Sequence, residues 1–382
     1  MFKNVKYCSK CVLPETVEGQ NFNEDGECVT CQAQEIKKNV DWDAKRKELD
    51  KILKDAKKKS GNNYDCIVPI SGGKDSIYQL HVIVKEYGLK PLAVTFHHGW
   101  FSKTGWYNLY NCLEKMDIDH IMFTPAPSLV NRIAKRSVET IGDACWHCHA
   151  GVGAFTLQMA VAYKIPLIIW GESGADYGHQ NANHNNIVKF DREYFQKLSA
   201  KLSTDEFKCD YISKKDLFPF ELPSIEACKN IVGIHLGNYI PWDTEKQVAF
   251  VKETYNWKGR QCGGAYKDYK SVECSMSAIH DFLCYLKRGF GRTTIQASQG
   301  IRDLEISRDQ AVWLVDKYER IEPTSLNYFL ESAGLKPEEF RNYIEALKCD
   351  VIKDINLPAD KEWRNIDDEG KPFMKRLIDG EV

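Results

Sequence analysis

The chain has 382 residues, 43% hydrophobic and 28% charged, with 52 basic against 54 acidic side chains. That composition fits a soluble globular protein with a large core, and a net charge of −2 gives no general pull toward nucleic acid or anionic lipid. No apolar run approaches the length of a membrane span and no apolar signal precedes Cys8, so a cytoplasmic protein is expected. Fourteen cysteines in a reducing compartment point to metal binding or buried thiols rather than a disulfide framework.

The first element is a pair of Cys-x2-Cys hairpins, Cys8/Cys11 and Cys28/Cys31. The spacing suits a tetrahedral Zn²⁺ site, with a rubredoxin-like iron or an iron–sulfur centre as the alternative. Four thiolates leave no open position, so the metal of this knuckle (residues 1–33) should be structural. Residues 34–60 read as a polar linker helix with Trp42, Leu49, Ile52, Leu53 and Ala56 on one face, and Gly61-Asn62-Asn63 ends it. Over 61–204, strands are predicted at 64–70, 91–97, 120–124 and 166–171. Helices are predicted between and around them near 75–87, 104–116, 128–141 and 149–163. Short continuous apolar strands alternating with amphipathic helices predict a doubly wound α/β domain with a parallel sheet. Beyond 205, helices near 244–255, 273–288, 307–319, 325–333 and 337–347 predict a mainly helical region running to 382, a candidate lid or substrate region.

Between the first strand and first helix stands Ser71-Gly72-Gly73-Lys74-Asp75-Ser76. The glycines allow a bend and a close backbone approach, and the helix start offers N–H groups to an anion. Lys74 adds a point charge for phosphate, while Asp75 and Ser76 can cap the helix or reach a phosphate or metal. The spacing is not that of a Walker A loop. In such a sheet, ligands gather beyond the carboxyl ends of the strands. Phe96 and His97 end the second strand, and Gly171 and Glu172 follow the fourth. These residues are expected to touch the nucleotide. Asp75, Glu172 and Asp176 are candidate Mg²⁺ ligands.

Cys145 and Cys148 form a third Cys-x2-Cys pair, read as half of a second metal site or a redox pair. His147, His149, Cys262 and Cys274 could supplement it, and inert buried thiols are the alternative. Residues 287–302 are dense in Arg, Thr and Gln and read as a substrate-binding loop carrying Arg288, Arg292, Thr293 and Arg302.

The Ser71–Ser76 loop resembles the pyrophosphate loop of the ATP pyrophosphatase (PP-loop) superfamily, whose fold is adenine nucleotide alpha hydrolase-like. Nearly the whole chain resembles the N-acetyl sugar amidotransferases of the WbpG/PseA family. The resemblance rests on Tyr7-Cys8-Ser-Lys-Cys11-Val-Leu-Pro14, on the loop, on Cys145-Trp-His-Cys148, and on Leu286-Lys-Arg-Gly-Phe-Gly-Arg292-Thr293 with Ile301-Arg302. It implies an ATP- and Mg²⁺-dependent, AMP-forming amidotransferase. An acetamido oxygen of an N-acetyl sugar is adenylated, and ammonia then replaces it to give an acetamidino sugar for surface polysaccharide or nonulosonic acid synthesis. Met1 is followed by Phe2 rather than by a cysteine nucleophile, and no second α/β unit is predicted. Ammonia is therefore expected from a separate glutaminase subunit, and the resemblance implies that the partners are a HisH-like glutaminase and a HisF-like channel subunit. Two other readings share the loop: tRNA thiolation using Cys145 and Cys148, against which the near-neutral charge counts, and a non-catalytic nucleotide-binding adaptor.

Overall fold

The first strand, β1 (Cys66–Pro69), is buried along its whole length. Cys66 and Val68 enter one apolar core and Ile67 enters another. A strand whose alternate side chains feed two cores must be covered on both faces. That arrangement holds across the sheet of this computed structural model, whose described residues are 1–174, 191–361 and 370–381.

Four further strands complete it: β2 (Pro91–Phe96), β3 (His120–Phe123), β4 (Leu167–Trp170) and β5 (Val232–His235). All pair in parallel, in the order β3-β2-β1-β4-β5. The chain builds outward from β1 to β3, then returns to lay β4 on the other side of β1. Connections leave β1 and β4 in opposite directions, which opens a crevice at their carboxyl ends.

One face is covered by α2 (Trp42–Ser60), α3 (Lys74–His81, continued by a wider turn Val82–Glu86) and α4 (Lys103–Met116). The other is covered by α5 (Pro127–Ile141) and α6 (Trp146–Ala162). The predicted linker helix is in fact two. A shorter α1 (Val29–Lys38) ends at Asn39, and Asp41 caps α2 by accepting from the Ala44 N–H at 2.9 Å. Because α2 places Leu49, Leu53 and Ala56 in the sheet core, it is part of the α/β unit rather than a tether.

The α/β unit also extends past the expected boundary at 204/205. β5 pairs with β4, and α7 (Thr244–Tyr255) sends Val251 and Tyr255 into the same core as α3. β5 escaped prediction because Val232-Gly-Ile-His235 is a short edge strand with an exposed Val232 and a glycine.

The C-terminal helices are α8 (Ser277–Arg288), α9 (Arg292–Arg302), α10 (Arg308–Tyr318), α11 (Leu326–Ala333) and α12 (Pro337–Ala346). α5 is the hinge of this packing. Leu129 and Ile133 face the sheet, while Val130, Ala134 and Val138 pack against α8, α11 and α12. Two expectations change here. The helix predicted from 273 begins only at Ser277, because residues 269–276 form a strap along the segment that follows β2. The Ser102 N–H donates to the Glu273 carbonyl at 2.9 Å, and the Ser275 N–H donates to the Trp100 carbonyl at 2.8 Å. Of the predicted substrate loop 287–302, residues 287–288 end α8 and 292–302 form the helix α9. Its N-terminus is capped by the buried Glu319 carboxylate, which accepts from the Gly291 N–H and from the Thr294 N–H at 2.6 Å.

Among the described residues, no helix is long and apolar enough to cross a membrane.

Candidate active site

The Ser71–Ser76 loop lies at the crevice between β1 and β4. It knits itself together. The Gly73 N–H donates to Ser71 Oγ at 3.3 Å, the Ser71 N–H donates to Ser76 Oγ at 3.3 Å, and the Ser76 hydroxyl donates to the Gly73 carbonyl at 2.9 Å. From behind, Trp257 Nε1–H donates to the Gly72 carbonyl at 2.9 Å. Gly72 has φ +82°, and a Cβ there would meet the Gly105 carbonyl at 2.8 Å and the Leu109 N at 2.9 Å. Both neighbours are backbone of α4 and cannot swing aside. Gly72→Ala should therefore cost about 2–5 kcal/mol, combining a left-handed backbone with overpacking. Urea unfolding measures it, and a cost under 1 kcal/mol would show that the bend tolerates a side chain.

The loop opens on a cavity of about 570 Å³, within the roughly 300–1,000 Å³ range of small-molecule sites. Ser71, Gly73, Lys74, Asp75 and Ser76 line it, with Phe96, Gly171 and Glu172 from the ends of β2 and β4. Those expected contacts do converge. His97 does not line the cavity. Successive side chains of an extended strand point to opposite faces, so Val94, Phe96 and His98 share the cavity face. His97 instead stacks on Phe101 and meets Trp106 at a tilt, with ring centroids 4.9 and 5.0 Å away. Strand parity, applied from Phe96, would have selected His98. The Trp100 N–H donates to His98 Nδ1 at 3.3 Å, so His98 Nε2 carries the hydrogen, and this atom has no partner among the described residues.

Charge is concentrated at the loop. Lys74 is almost wholly buried and paired with Asp75, which also accepts from Trp242 Nε1–H at 3.3 Å. Burial would push the Asp75 carboxyl up, but the Lys74 and Lys270 ammonium groups outweigh it and hold it below the usual carboxylate range. Burial and then the Asp75 charge push the Glu172 carboxyl up. Two carboxylates that repel across a buried site fit a divalent cation, which removes the repulsion. Asp176 lies outside the described residues.

The strap supplies what the sequence reading missed. Tyr269, Lys270 and Glu273 line the cavity, beside Cys274, which the sequence did single out. Lys270 is half-buried, and desolvation followed by repulsion from Lys74 lowers it to about 8. Two ammonium groups and the first-turn N–H groups of α3 give this cavity the donors that a polyphosphate requires.

The expected substrate residues separate. Arg292 lines the cavity and pairs with Asp281 at 2.8 Å. Arg302 lines a smaller adjoining pocket of about 120 Å³, which shares Glu172, Tyr269 and Lys270 with the main cavity. Thr293 is fully buried and donates to the Gly264 carbonyl at 2.7 Å, so it holds the fold. Arg288 points to the knuckle, donating to the Thr16 carbonyl at 3.0 Å and pairing with Glu18.

The four knuckle cysteines are wholly buried and close together. Cys8–Cys31 and Cys11–Cys28 sulfur separations are 3.9 and 3.7 Å. A tetrahedron with metal–sulfur bonds of about 2.3 Å has edges of about 3.8 Å, so the four thiols are placed to hold one zinc. The N–H groups of Cys11, Cys28 and Cys31 point at Cys8 or Cys28 sulfur at 3.2–3.4 Å, which suits thiolates. Arg308 anchors the knuckle to α10 through the Cys8 and Cys11 carbonyls. Its Leu13, Val17 and Thr30 then wall the smaller pocket.

Cys145 and Cys148 flank the start of α6, which begins at Trp146 rather than 149, and both line the main cavity. Cys274 and His149 join them there. His147 is buried against the His98 carbonyl at 3.0 Å, and Cys262 points at the Lys270 carbonyl at 3.7 Å. The sequence reading also missed Asp143 and His280, which are hydrogen-bonded at 2.9 Å. The Asp143 charge, working against burial, raises the His280 imidazole above its ordinary value.

Fold and loop together define a parallel α/β protein with a strand–glycine bend–helix unit facing a cavity at its crevice. The comparisons bear on the C-terminal part of the chain. Residues 263–366 match the family model described as LPS biosynthesis protein WbpG-like, C-terminal domain. That stretch contains the strap, Arg292 and Arg302. An uncharacterized protein of Methanocaldococcus jannaschii, MJ1599, is 31% identical over 113 residues. The match covers 29% of this chain and 40% of the relative's length.

Proposed function

We propose that this protein is an ATP-dependent amidotransferase of the PP-loop type, converting an acetamido sugar to an acetamidino sugar in polysaccharide synthesis. One observation carries the reading. The Ser71–Ser76 bend, Lys74 and Lys270 face a ligand-sized cavity at the sheet's crevice, and that cavity is closed by a strap from the WbpG-like segment.

Each residue has a definable task. The first-turn N–H groups of α3 and Lys74 hold the two outer phosphoryl groups of ATP. Lys270 offsets charge growing on the pyrophosphate leaving group. Asp75 and Glu172 fit a Mg²⁺, which when bound would neutralise phosphate oxygens. Phe96 and Trp170 supply apolar wall. The sugar acetamido oxygen attacks the α-phosphorus and pyrophosphate leaves. Ammonia then adds to the activated carbon, and AMP departs with the original oxygen. The adjoining pocket, with Arg302 and Lys37, suits an anionic group on the sugar.

The test mixes the chain, ATP, Mg²⁺ and ammonium with a panel of acetamido sugars. AMP and pyrophosphate should form with one of them, and mass spectrometry should show O replaced by NH. ADP and orthophosphate as products would overturn the reading. Glutamine should not replace ammonium for the chain alone, because we assign ammonia supply to a HisH-like glutaminase and a HisF-like channel subunit. Turnover with glutamine alone would refute that partnership.

Lys270 sets a pH dependence. Its ammonium is charged below its depressed pKa of about 8 and neutral above it. The free-enzyme profile, kcat/KM for ATP, should therefore be high below pH 8 and fall above it. Lys270→Arg should keep the charge and move that limb to higher pH. An unchanged limb in Lys270→Arg would assign it to another group.

A further inference from the structure

We propose that the cavity wall holds a second metal centre, bound by Asp143, Cys145 and His280 and chemically separate from the four-cysteine knuckle. A carboxylate oxygen, a thiol sulfur and an imidazole nitrogen from these residues all lie within 4.8 Å of one another. Bonds of about 2.0–2.3 Å around a tetrahedral ion place its ligand atoms roughly 3.3–3.8 Å apart. Small side-chain movements therefore close the set on a cation. Asp143 Oδ1 and His280 Nδ1 are already 2.9 Å apart, joined by a hydrogen bond that a cation would replace. The knuckle has the same signature, with its sulfurs paired at 3.7 and 3.9 Å.

The site is built from two distant parts of the chain. Asp143 and Cys145 come from the bend between α5 and α6, and the Cys145 N–H fixes the Asp143 carboxylate at 3.0 Å. His280 comes from α8. A metal here would clamp the C-terminal helices to the α/β unit at the point where both meet the cavity. Cys145 and His280 line that cavity, with the Cys148 and Cys274 thiols on the same lining.

The donor set specifies the ligand chemistry. A thiolate with imidazole and carboxylate, and two further thiols within the same lining, select a thiophilic cation, zinc or iron, over Mg²⁺ or Ca²⁺. Three protein ligands leave a coordination position, and in this geometry it opens on the cavity that Lys74 shares. The bound ion thus offers a Lewis-acid contact to an oxygen, nitrogen or sulfur atom of whatever occupies the cavity. No reaction step is needed for the site to form, so it stands or falls apart from the amidotransferase reading.

Metal content decides it, measured on the full chain purified without oxygen and then exchanged free of loose metal, with no nucleotide present. The wild type should hold two equivalents, one in the knuckle and one here. Zinc analysis, iron analysis and a visible iron–thiolate band identify which ion is bound. Cys145→Ser and His280→Ala should each hold one equivalent, with unchanged far-ultraviolet circular dichroism. Should either variant misfold, Co²⁺ titration of the wild type replaces it, and thiolate-to-cobalt bands from a second equivalent support the site. One equivalent in the wild type after reconstitution with Zn²⁺ and Fe²⁺ would overturn the proposal. So would two equivalents retained in folded Cys145→Ser and His280→Ala.

Discussion

Lys74→Met should lower kcat/KM for ATP by about 10²–10³, the scale of removing one positioned charge from a water-poor site. Lys74 is 1% exposed, so no bulk solvent screens it and no neighbour on the same helix replaces it. The change has a second effect that must be separated from the first. Asp75 would lose its nearest counter-charge while still partly buried. Breaking a buried pair costs about 3–5 kcal/mol when the survivor is isolated. Here Lys270 and the Trp242 N–H remain beside Asp75, so about 1–3 kcal/mol is expected. The double variant Lys74→Met/Asp75→Asn removes the orphaned charge. It should regain most of the stability and none of the activity. Steady-state kinetics and urea unfolding on the three variants measure both effects. Wild-type kcat/KM in Lys74→Met would remove the loop from the chemistry.

The second large effect concerns the knuckle. Cys28→Ser should abolish its metal site. Cys28 has two tasks, metal ligand and N-cap of α1, where its sulfur accepts from the Cys31 N–H at 3.4 Å. Serine keeps the capping oxygen and loses the thiolate, so the variant isolates the metal. Structural zinc contributes about 10–16 kcal/mol of apparent binding energy in small finger peptides. That is a ceiling here, since the knuckle also rests on Ile301 and on the Arg308 contacts. With the knuckle loosened, the small pocket loses the wall made by Leu13, Val17 and Thr30. We expect one metal equivalent lost, a lower melting temperature, and a raised KM for the sugar with that for ATP nearly unchanged. A chelator strong enough to strip the wild type should reproduce the pattern. Full metal content in Cys28→Ser would mean the four thiols are not its ligands.

The legible parts of this chain are those fixed within a few residues. The Cys-x2-Cys spacings, the strand–bend–helix around Gly72, and the apolar strands between amphipathic helices all carry their own local signatures. β5 carried none, because a four-residue edge strand with one glycine has too little apolar pattern to stand out. Within the expected loop 287–302, residues 292–302 differ for a related reason. Its polar side chains suit a loop, and the helix forms because Glu319, distant in sequence, caps its first turn. Strand parity, applied from Phe96, would have selected His98 in place of the expected His97.

What the amino acids alone determined is local architecture: a glycine bend between strand and helix, a thiol-rich knuckle and a parallel α/β scaffold. Backbone preferences and side-chain periodicity act over one or two turns, so these survive without knowledge of the rest. The tertiary structure decided which residues meet. Lys270 and Glu273 reach the loop, and His280 reaches Asp143, only because the strap 269–276 is hydrogen-bonded to the segment after β2 and α8 packs on α5. Such meetings depend on crossover order and long-range burial, and no residue type announces its distant partner.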